Sequence, residues 1–200
     1  LATYVERSKI KTQTKEALKR WLLDLNSTNL FGDEEKVIVK RENEVEEVYR
    51  LEDLLKPGKA LIFDLSPYVD SRSKQIIVLW AAKEIFRLRR LNKIPPVIII
   101  LEEAHNFIPQ ERSREEAPTK PIFETIAREG RKFLCSLCII SQRPIRLSTT
   151  VLSQCNTHVI MRITNPYDLQ HIGESSEGIT KKTLEALTTL QVGEALIVGE

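Results

Sequence analysis

The chain has 200 residues, of which 42% are hydrophobic and 29% are charged, and its 30 Lys and Arg nearly balance its 28 Asp and Glu. This composition is typical of a globular protein with an apolar core, and it excludes low-complexity polymers. The longest aliphatic run, Val97 to Leu101, is far shorter than the roughly 18 to 20 residues of a membrane span, which argues against a membrane protein. The net charge of +2 excludes a uniformly basic nucleic-acid binder.

The first 56 residues differ in pattern from the rest of the chain. Residues 3–25 have a helical pattern, and Val37 to Val39 with Val45 to Tyr49 predict a small hairpin. This segment is charged and lacks long apolar strands. We therefore expect residues 1–56 to form an appendage and residues 57–200 to form the main domain.

From residue 57 onward, short apolar strands alternate with amphipathic helices. The predicted strands are Ala60 to Leu65, Val97 to Leu101, Ser136 to Ile140, His158 to Ile163 and Ala195 to Val198. The predicted helices are residues 71–92, Thr119 to Ala127 (which Gly130 helps to end), Thr149 to Cys155, Tyr167 to Ile172 and Thr180 to Leu190. Such alternation predicts an α/β fold of three layers, in which a mostly parallel sheet is covered by helices on both faces.

Cysteine usage indicates a reducing environment. The three Cys residues form no disulfide framework, which favours the cytoplasm over an oxidising compartment. Cys135 and Cys138 form a CxxC, but their odd separation places the two thiols on opposite faces of a strand. We therefore expect packing rather than metal binding or redox chemistry at this pair.

Two adjacent carboxylates follow the strand Val97 to Leu101, at the sheet edge where α/β proteins gather their functional groups. Glu102 and Glu103 can simply be solvated at the end of the strand. Alternatively they form a Walker B motif, in which one carboxylate serves Mg²⁺ and a second serves the water that attacks a γ-phosphate. Successive side chains diverge along a strand, so Glu102 would act on the metal side, through a coordinated water, and Glu103 would act as the base.

Further polar candidates come after the Walker B segment. Gln142, in IISQRP, follows the next strand, where its amide either caps a turn or hydrogen-bonds the γ-phosphate or the attacking water. Arg128 and Arg131 lie near the end of the intervening helix. The helix dipole alone favours basic groups there, but either residue can also serve as an arginine finger toward a neighbouring subunit.

Two groups of basic residues are candidates for nucleic-acid contact. Lys83, Arg87 and Arg90 recur at helical spacing, on what is either a solvated face or a phosphate-binding surface. Arg112 and Arg114 lie in a polar stretch that can project as a loop, although glutamates interleave with them. The phosphate-binding motif GxxxxGK[ST], or Walker A, does not occur in the sequence, and the three His residues show no HExxH spacing.

Several segments together resemble the carboxyl-terminal part of the HerA family, which are hexameric DNA-translocating ATPases of the wider FtsK-HerA group. These segments are PVIIILEEAHNFIP, IAREGRKF, IISQRP, STTVLSQCNTHVIMRITNPYD and GEALIVG, and LEDLLKPGKALIFDLS resembles the lead into the family's core. The resemblance covers roughly residues 50 to 200. It implies a RecA-like core with Walker A upstream and a helical insertion before Walker B, of which residues 1–30 would be the tail.

The resemblance also implies an ATP- and Mg²⁺-driven homo-hexamer that threads double-stranded DNA. Family members work with a NurA-like nuclease in resecting DNA ends during recombination. By the family's motifs, Glu102 and Glu103 are the Walker B pair and Gln142 is the sensor. Arg128, with Arg131 as the second choice, is the finger that acts on a neighbouring subunit. Without Walker A, this chain by itself is expected to be inactive.

Two other functions are open on the sequence alone. A metal-dependent nuclease would use Glu102 and Glu103, with Asp64 at the end of the first predicted strand as a further acidic ligand. A non-catalytic oligomerisation or DNA-binding module would retain the ATPase fold without its chemistry.

Overall fold

The structure is a computed structural model, in which residues 37–39, 47–111, 117–175 and 179–199 are described. The chain divides into two units, Leu1–Pro95 and Pro96–Glu200. The helix predicted over residues 3–25 lies outside the described residues, and so do Arg112 and Arg114. The expected boundary between an appendage and a main domain near residue 56 stays a prediction.

The described part of the first unit begins with a two-stranded hairpin. Strand β1 (Val37–Val39) pairs antiparallel with β2 (Glu47–Tyr49), as the sequence predicts. One helical turn, α1 (Leu51–Leu54), follows directly. Its residue Leu51 is buried, so the turn packs its first side chain into the interior of this unit.

The strand predicted at Ala60 to Leu65 is wrong, because this segment is irregular. Ile62 is 83% exposed, and within the described residues the segment joins no sheet. The backbone N–H of Ser66 donates to Asp64 Oδ1 over 2.9 Å, which turns the chain where the strand was expected to end. A short apolar run forms a strand only where a partner strand satisfies its backbone groups, and local composition does not supply that partner.

The long helix α2 (Ser71–Arg90) confirms the prediction for residues 71–92. Asp70 caps its N-terminus, because Oδ1 accepts a hydrogen bond of 2.7 Å from the backbone N–H of Ser73. Three arginines in the last turn suit the negative end of the helix dipole. The predicted apolar stripe faces inward and comprises Ile77, Ala81, Ile85 and Leu88, with Trp80 half-buried.

The second unit begins with two parallel strands that are joined by a helix. Strand β3 (Val97–Leu101) pairs with β4 (Cys135–Ile139), and Leu101 lies opposite Ile139. Helix α3 (Lys120–Glu129) lies between them in the chain. One intervening helix returns the chain to the edge from which β3 started, so β4 runs in the same direction. The α/β class and this parallel pair are confirmed.

The other pair of strands in this unit differs from the parallel order expected from the alternation. After the helical turn α4 (Thr149–Leu152), strand β5 (Thr157–Met161) pairs antiparallel with β6 (Ala195–Gly199). Two helices separate these strands, α5 (Pro166–Ser175) and α6 (Lys181–Thr189). Each helix carries the chain from one edge of the sheet to the other, so after two helices the chain is again at the edge where β5 ended and β6 runs back antiparallel. The buried core between them consists of Ile160, Ile172 and Leu187.

The pair of β3 and β4 leaves one apolar face exposed, although continuous apolar strands predict cover on both faces. Ile98 and Ile100 are 65% and 66% exposed, and Ser136 and Cys138 on β4 are exposed in the same alternation. The opposite face is partly buried, with Cys135 only 1% exposed. The apolar run therefore predicts the strand correctly but does not tell which elements cover it.

Candidate active site

The ends of β3 and β4 bring the two predicted polar segments together. The strands are parallel, so their carboxyl ends lie at one edge of the sheet. The backbone N–H of Ile140 donates to the carbonyl oxygen of Leu101, and that of Ala104 donates to the carbonyl oxygen of Ile140, both over 3.0 Å. These two bonds continue the ladder past the strands and hold the Glu102-Glu103 segment beside the Ser141-Gln142 segment.

Glu103 has a left-handed backbone, with φ 48° and ψ 43°. For a residue other than Gly or Asn this conformation costs about 1–2 kcal/mol, so the surrounding bonds must hold it. Its carboxylate meets two partners: Gln142 Nε2 donates to Oε1 over 3.2 Å, and His105 Nδ1 lies 3.2 Å from Oε2. The side chain is still 43% exposed, so the carboxylate remains open to solvent while it is held.

His105 links the two strand ends, and the sequence analysis does not single it out. Its Nδ1 lies 3.2 Å from Glu103 Oε2 and 3.0 Å from Ser141 Oγ, and its side chain is only 9% exposed. Ser141 Oγ also accepts a hydrogen bond of 3.0 Å from the backbone N–H of Arg143. The available signal was the position of His105 in EEAH, two residues after Glu103, rather than its spacing from the other histidines.

Glu102 and Glu103 face different surroundings, as the divergence of successive side chains predicts. Glu102 is exposed, and its carboxylate makes no hydrogen bond or ion pair among the residues that the structure describes. Glu103 is only partly exposed and is held by Gln142 and His105. One carboxylate is thus oriented and the other is available to an additional ligand.

Arg128 and Arg131 are not bonded to the cluster of Glu103, Gln142 and His105. Arg128 lies in the last turn of α3 and Arg131 in the 3₁₀ turn Gly130–Phe133, and both side chains are exposed. In the described part of the chain, neither guanidinium forms a hydrogen bond or an ion pair. The structure therefore does not join them to Glu103 within this chain, and their role stays a prediction.

Gly130 sets the path from α3 to β4. Its backbone is in the ordinary right-handed region, with φ −57° and ψ −35°, so positive φ is not what requires glycine here. A Cβ atom at this position would lie 2.2 Å from the carbonyl oxygen of Cys135 and 3.1 Å from Ile126 Cγ2. The expectation that Gly130 helps to end α3 is therefore sharpened: glycine is needed because β4 passes so close.

The basic stripe on α2 is exposed, but two of its three members are engaged. Arg87 donates to the carboxylate of Glu84 through Nε and Nη2, over 2.8 and 2.6 Å. The Arg90 guanidinium lies 6.0 Å from the centroid of the Phe86 ring. Lys83, Arg87 and Arg90 all lie on the solvent side of the helix. Their contact with nucleic acid stays a prediction.

The cysteine pair and the metal-site alternative can also be compared with the structure. Cys135 is buried and Cys138 is exposed, so the two thiols face opposite sides of β4, as predicted. Across the described residues, no group of three or more His, Cys, Asp or Glu side chains is arranged to hold a metal ion. No helix among these residues is long and apolar enough to span a membrane.

Comparison with known proteins gives clear relatives. No family model matches the chain. It is 34% identical over 177 residues to the DNA double-strand break repair helicase HerA of Pyrococcus furiosus, covering 73% of this chain and 32% of that protein. It is 44% identical over 104 residues to a Methanocaldococcus jannaschii protein described as a probable HerA of the same kind, covering 52% of this chain and 20% of that protein. The chain belongs to the HerA family.

Membership of the HerA family agrees with the fold, and the matched relatives are longer than this chain. The chain spans about a third of the length of five curated relatives that it matches, between 30% and 34%, and about a fifth of two others. Among solved structures, it is similar to the genome packaging NTPase B204 of Sulfolobus turreted icosahedral virus 2 in complex with AMPPCP. The TM-score is 0.50 at 18% identity, over 60% of this chain and 56% of that chain. This likeness supports the α/β fold described above.

Proposed function

We propose that this chain carries the hydrolysis half of an ATP-driven motor that translocates double-stranded DNA, in the resection of DNA ends and recombination. The observation that carries the proposal is the contact of Gln142 Nε2 with Glu103 Oε1, which joins the predicted sensor to the predicted base. The relatives in the HerA family are named as DNA repair helicases, which supports DNA as the substrate. ATP is supported as the fuel by the fold shared with an NTPase structure that holds AMPPCP.

The residues at the end of β3 fit ATP bound with Mg²⁺. Mg²⁺ is usually held by one or two carboxylates, by waters and by the substrate phosphates, so it does not require a cluster of protein ligands. Glu102 is exposed and offers a carboxylate without a competing partner among the described residues. When bound, the ion would neutralise charge on the phosphates. Because Walker A does not occur in these 200 residues, we assign the phosphate cradle to another part of the full-length protein.

In this proposal, each side chain has a separate task. Glu103 orients the attacking water and takes its proton, and its 43% exposure leaves room for that water. Gln142 is exposed and hydrogen-bonds Glu103, so its amide can turn from the carboxylate to the γ-phosphate. Glu102 serves the ion through a coordinated water. These tasks need groups at two neighbouring strand ends, which is the arrangement of β3 and β4.

The proposal extends to the assembly. Arg128, with Arg131 as the second choice, acts as an arginine finger toward the nucleotide of a neighbouring subunit, because its exposed guanidinium is unengaged within the described residues. Such a finger requires a ring, and we propose a homo-hexamer that works in the cytoplasm with a NurA-like nuclease. The basic side chains Lys83, Arg87, Arg90, Arg112 and Arg114 remain candidates for DNA contact.

The decisive test is the Glu103→Gln substitution in the full-length protein. The amide keeps the size of the side chain but cannot accept the proton, so kcat for DNA-stimulated ATP hydrolysis should fall about 10²- to 10⁴-fold while ATP binding is retained. The matched control is Glu185→Gln, the same exchange at an exposed position on α6, which should leave kcat unchanged. Wild-type turnover in the Glu103→Gln protein would refute the proposed function.

No observation favours the alternative nuclease. It needs a third acidic ligand, and no cluster of three such side chains is present among the described residues. Asp64, the residue suggested for that role, hydrogen-bonds the backbone N–H of Ser66, and this bond lowers the pKa of the Asp64 carboxyl. The wild-type and Glu103→Gln proteins also test this alternative. A nuclease would cleave DNA with Mg²⁺ and no nucleotide, and the substitution would abolish that cleavage.

A further inference from the structure

We infer that His105 is a positioning residue for hydrolysis: it holds the Glu103 carboxylate in place while Gln142 exchanges its partner. The inference rests on the proposed function, since it deepens the role of the same site. It assigns no direct contact with substrate to His105. Its basis is the pair of short contacts that His105 Nδ1 makes at the ends of β3 and β4.

The chemistry of the contact fixes which atom donates. An ionised carboxylate can only accept hydrogen bonds, so the 3.2 Å contact with Glu103 Oε2 is a hydrogen bond only when His105 Nδ1 carries a hydrogen. We therefore assign the tautomer with a hydrogen on Nδ1 to the hydrolysing state. Ser141 Oγ, 3.0 Å from the same nitrogen, accepts a share of that N–H. Ser141 Oγ is the nearer acceptor, and the carboxylate, as the charged acceptor, shares the same N–H.

The two donors to Glu103 differ in how freely they can leave. Gln142 is exposed, and its amide donates to Oε1 over 3.2 Å. His105 has a side chain that is only 9% exposed, and its Nδ1 lies 3.2 Å from Oε2. When Gln142 turns toward a phosphate, it leaves Oε1 without its donor. His105 then remains to fix the carboxylate, because its ring is enclosed by the surrounding chain.

The need for a fixed donor follows from the backbone of Glu103. Glu103 has a left-handed backbone, with φ 48°, and its carboxylate lies between Gln142 at the end of β4 and His105 in the 3₁₀ turn Ala104–Asn106. A misplacement of about 1 Å at a reacting group can reduce a rate about 10²-fold. A carboxylate that is 43% exposed and held by one departing amide would turn freely, so the second donor governs the rate.

The fold itself does not depend on this contact. The strand ends are already tied by the two backbone bonds of 3.0 Å between the Leu101–Ala104 segment and Ile140. Removal of the imidazole should therefore change the orientation of Glu103 without separating β3 from β4. This separates a positioning role from a purely structural one.

The test compares three substitutions at His105 in the full-length protein. Asparagine places an amide N–H near the position of Nδ1, glutamine places it near the position of Nε2, and alanine removes it. His105→Ala should lower kcat for ATP hydrolysis about 10- to 100-fold and change the KM for ATP less than about threefold. His105→Asn should recover most of the loss, and His105→Gln should resemble His105→Ala.

The outcomes separate this inference from the function on which it rests. If Glu103→Gln abolishes hydrolysis while His105→Ala keeps kcat within twofold of wild type, His105 has no positioning role and the proposed function stands. If Glu103→Gln retains full hydrolysis, the proposed function itself fails. A rise in KM without a fall in kcat, or equal rescue by asparagine and glutamine, would also overturn the inference. Thermal unfolding of each variant at the wild-type temperature shows that the loss is not one of folding.

Discussion

Replacing Gly130 with alanine tests how closely β4 must pass the end of α3. The added Cβ would lie 2.2 Å from the carbonyl oxygen of Cys135, whereas real Cβ contacts are essentially never shorter than 3.0 Å. The carbonyl must therefore move by about 0.8 Å or more, as the difference between those two distances. Cys135 is the first residue of β4 and lies opposite Val97, so a shift there disturbs the start of the parallel ladder.

The loss of stability depends on which atom the new methyl group contacts, and here it is the carbonyl oxygen of Cys135. A side chain can rotate away from a new methyl group, but a backbone carbonyl in a sheet moves only with its strand. Such overpacking costs about 1–3 kcal/mol, and loss of ladder geometry adds to it, so we expect Gly130→Ala to lower the free energy of unfolding by about 2–4 kcal/mol. For a domain of this size that corresponds to a fall in Tm of about 4–16 °C.

Equilibrium unfolding in urea, followed by circular dichroism, measures this effect. The matched control is Gly173→Ala in α5, where the new Cβ meets only the flexible end of Leu184, with Cδ1 at 3.0 Å. Alanine is also favoured in a helix by about 1 kcal/mol, so this variant should equal or exceed the wild type in stability. A Gly130→Ala protein within about 0.5 kcal/mol of wild type would refute the close approach as the reason for glycine.

Two further predictions concern buried or capping polar groups. Thr119→Val should lower the free energy of unfolding by about 1–3 kcal/mol, because the buried Thr119 Oγ1 donates to the carbonyl oxygen of Phe107 over 2.6 Å. The control is Thr188→Val, at an exposed helical position, which should lower the free energy of unfolding by under about 0.5 kcal/mol. Equal effects of the two substitutions in urea unfolding would contradict this reasoning. Asp70→Ala should cost about 0.5–2 kcal/mol through loss of the α2 cap. The bond from the Ser73 backbone N–H lowers the pKa of Asp70, so the wild-type advantage should be full above about pH 4 and decline as the pH falls through the folded-state pKa; an advantage that grows on acidification would contradict the assignment.

The sequence predicts those features that depend on local pattern and on the geometry of parallel strands. The run Val97–Leu101 is found as a strand with the predicted bounds, because Pro95-Pro96 precede it and two glutamates end it. The proximity of Glu103 and Gln142 follows from the rule that parallel strands end at one edge. By contrast, Ala60 to Leu65 has the composition of a strand but pairs with no strand among the described residues, and pairing is not a local property.

Other features depend on backbone details that residue types do not reveal. The left-handed conformation of Glu103 is rare for glutamate, so no propensity predicts it, yet it brings the carboxylate to His105. The tight approach of Gly130 to Cys135 is likewise invisible in a pattern that reads glycine as a helix end. The antiparallel order of β5 and β6 follows only when the two intervening helices are counted as two passes between the edges of the sheet rather than as one helical stretch.

The alternation along β4 gives the molecule a built-in chemical reporter. Cys138 lies on the exposed face beside Ile98 and Ile100, whereas Cys135, three residues earlier, is enclosed on the other side of the same strand. A thiol-specific reagent should thus label this strand at Cys138 and spare Cys135. In the full-length protein, protection of Cys138 from the reagent would show directly that another element covers this face, with no need to alter a single residue.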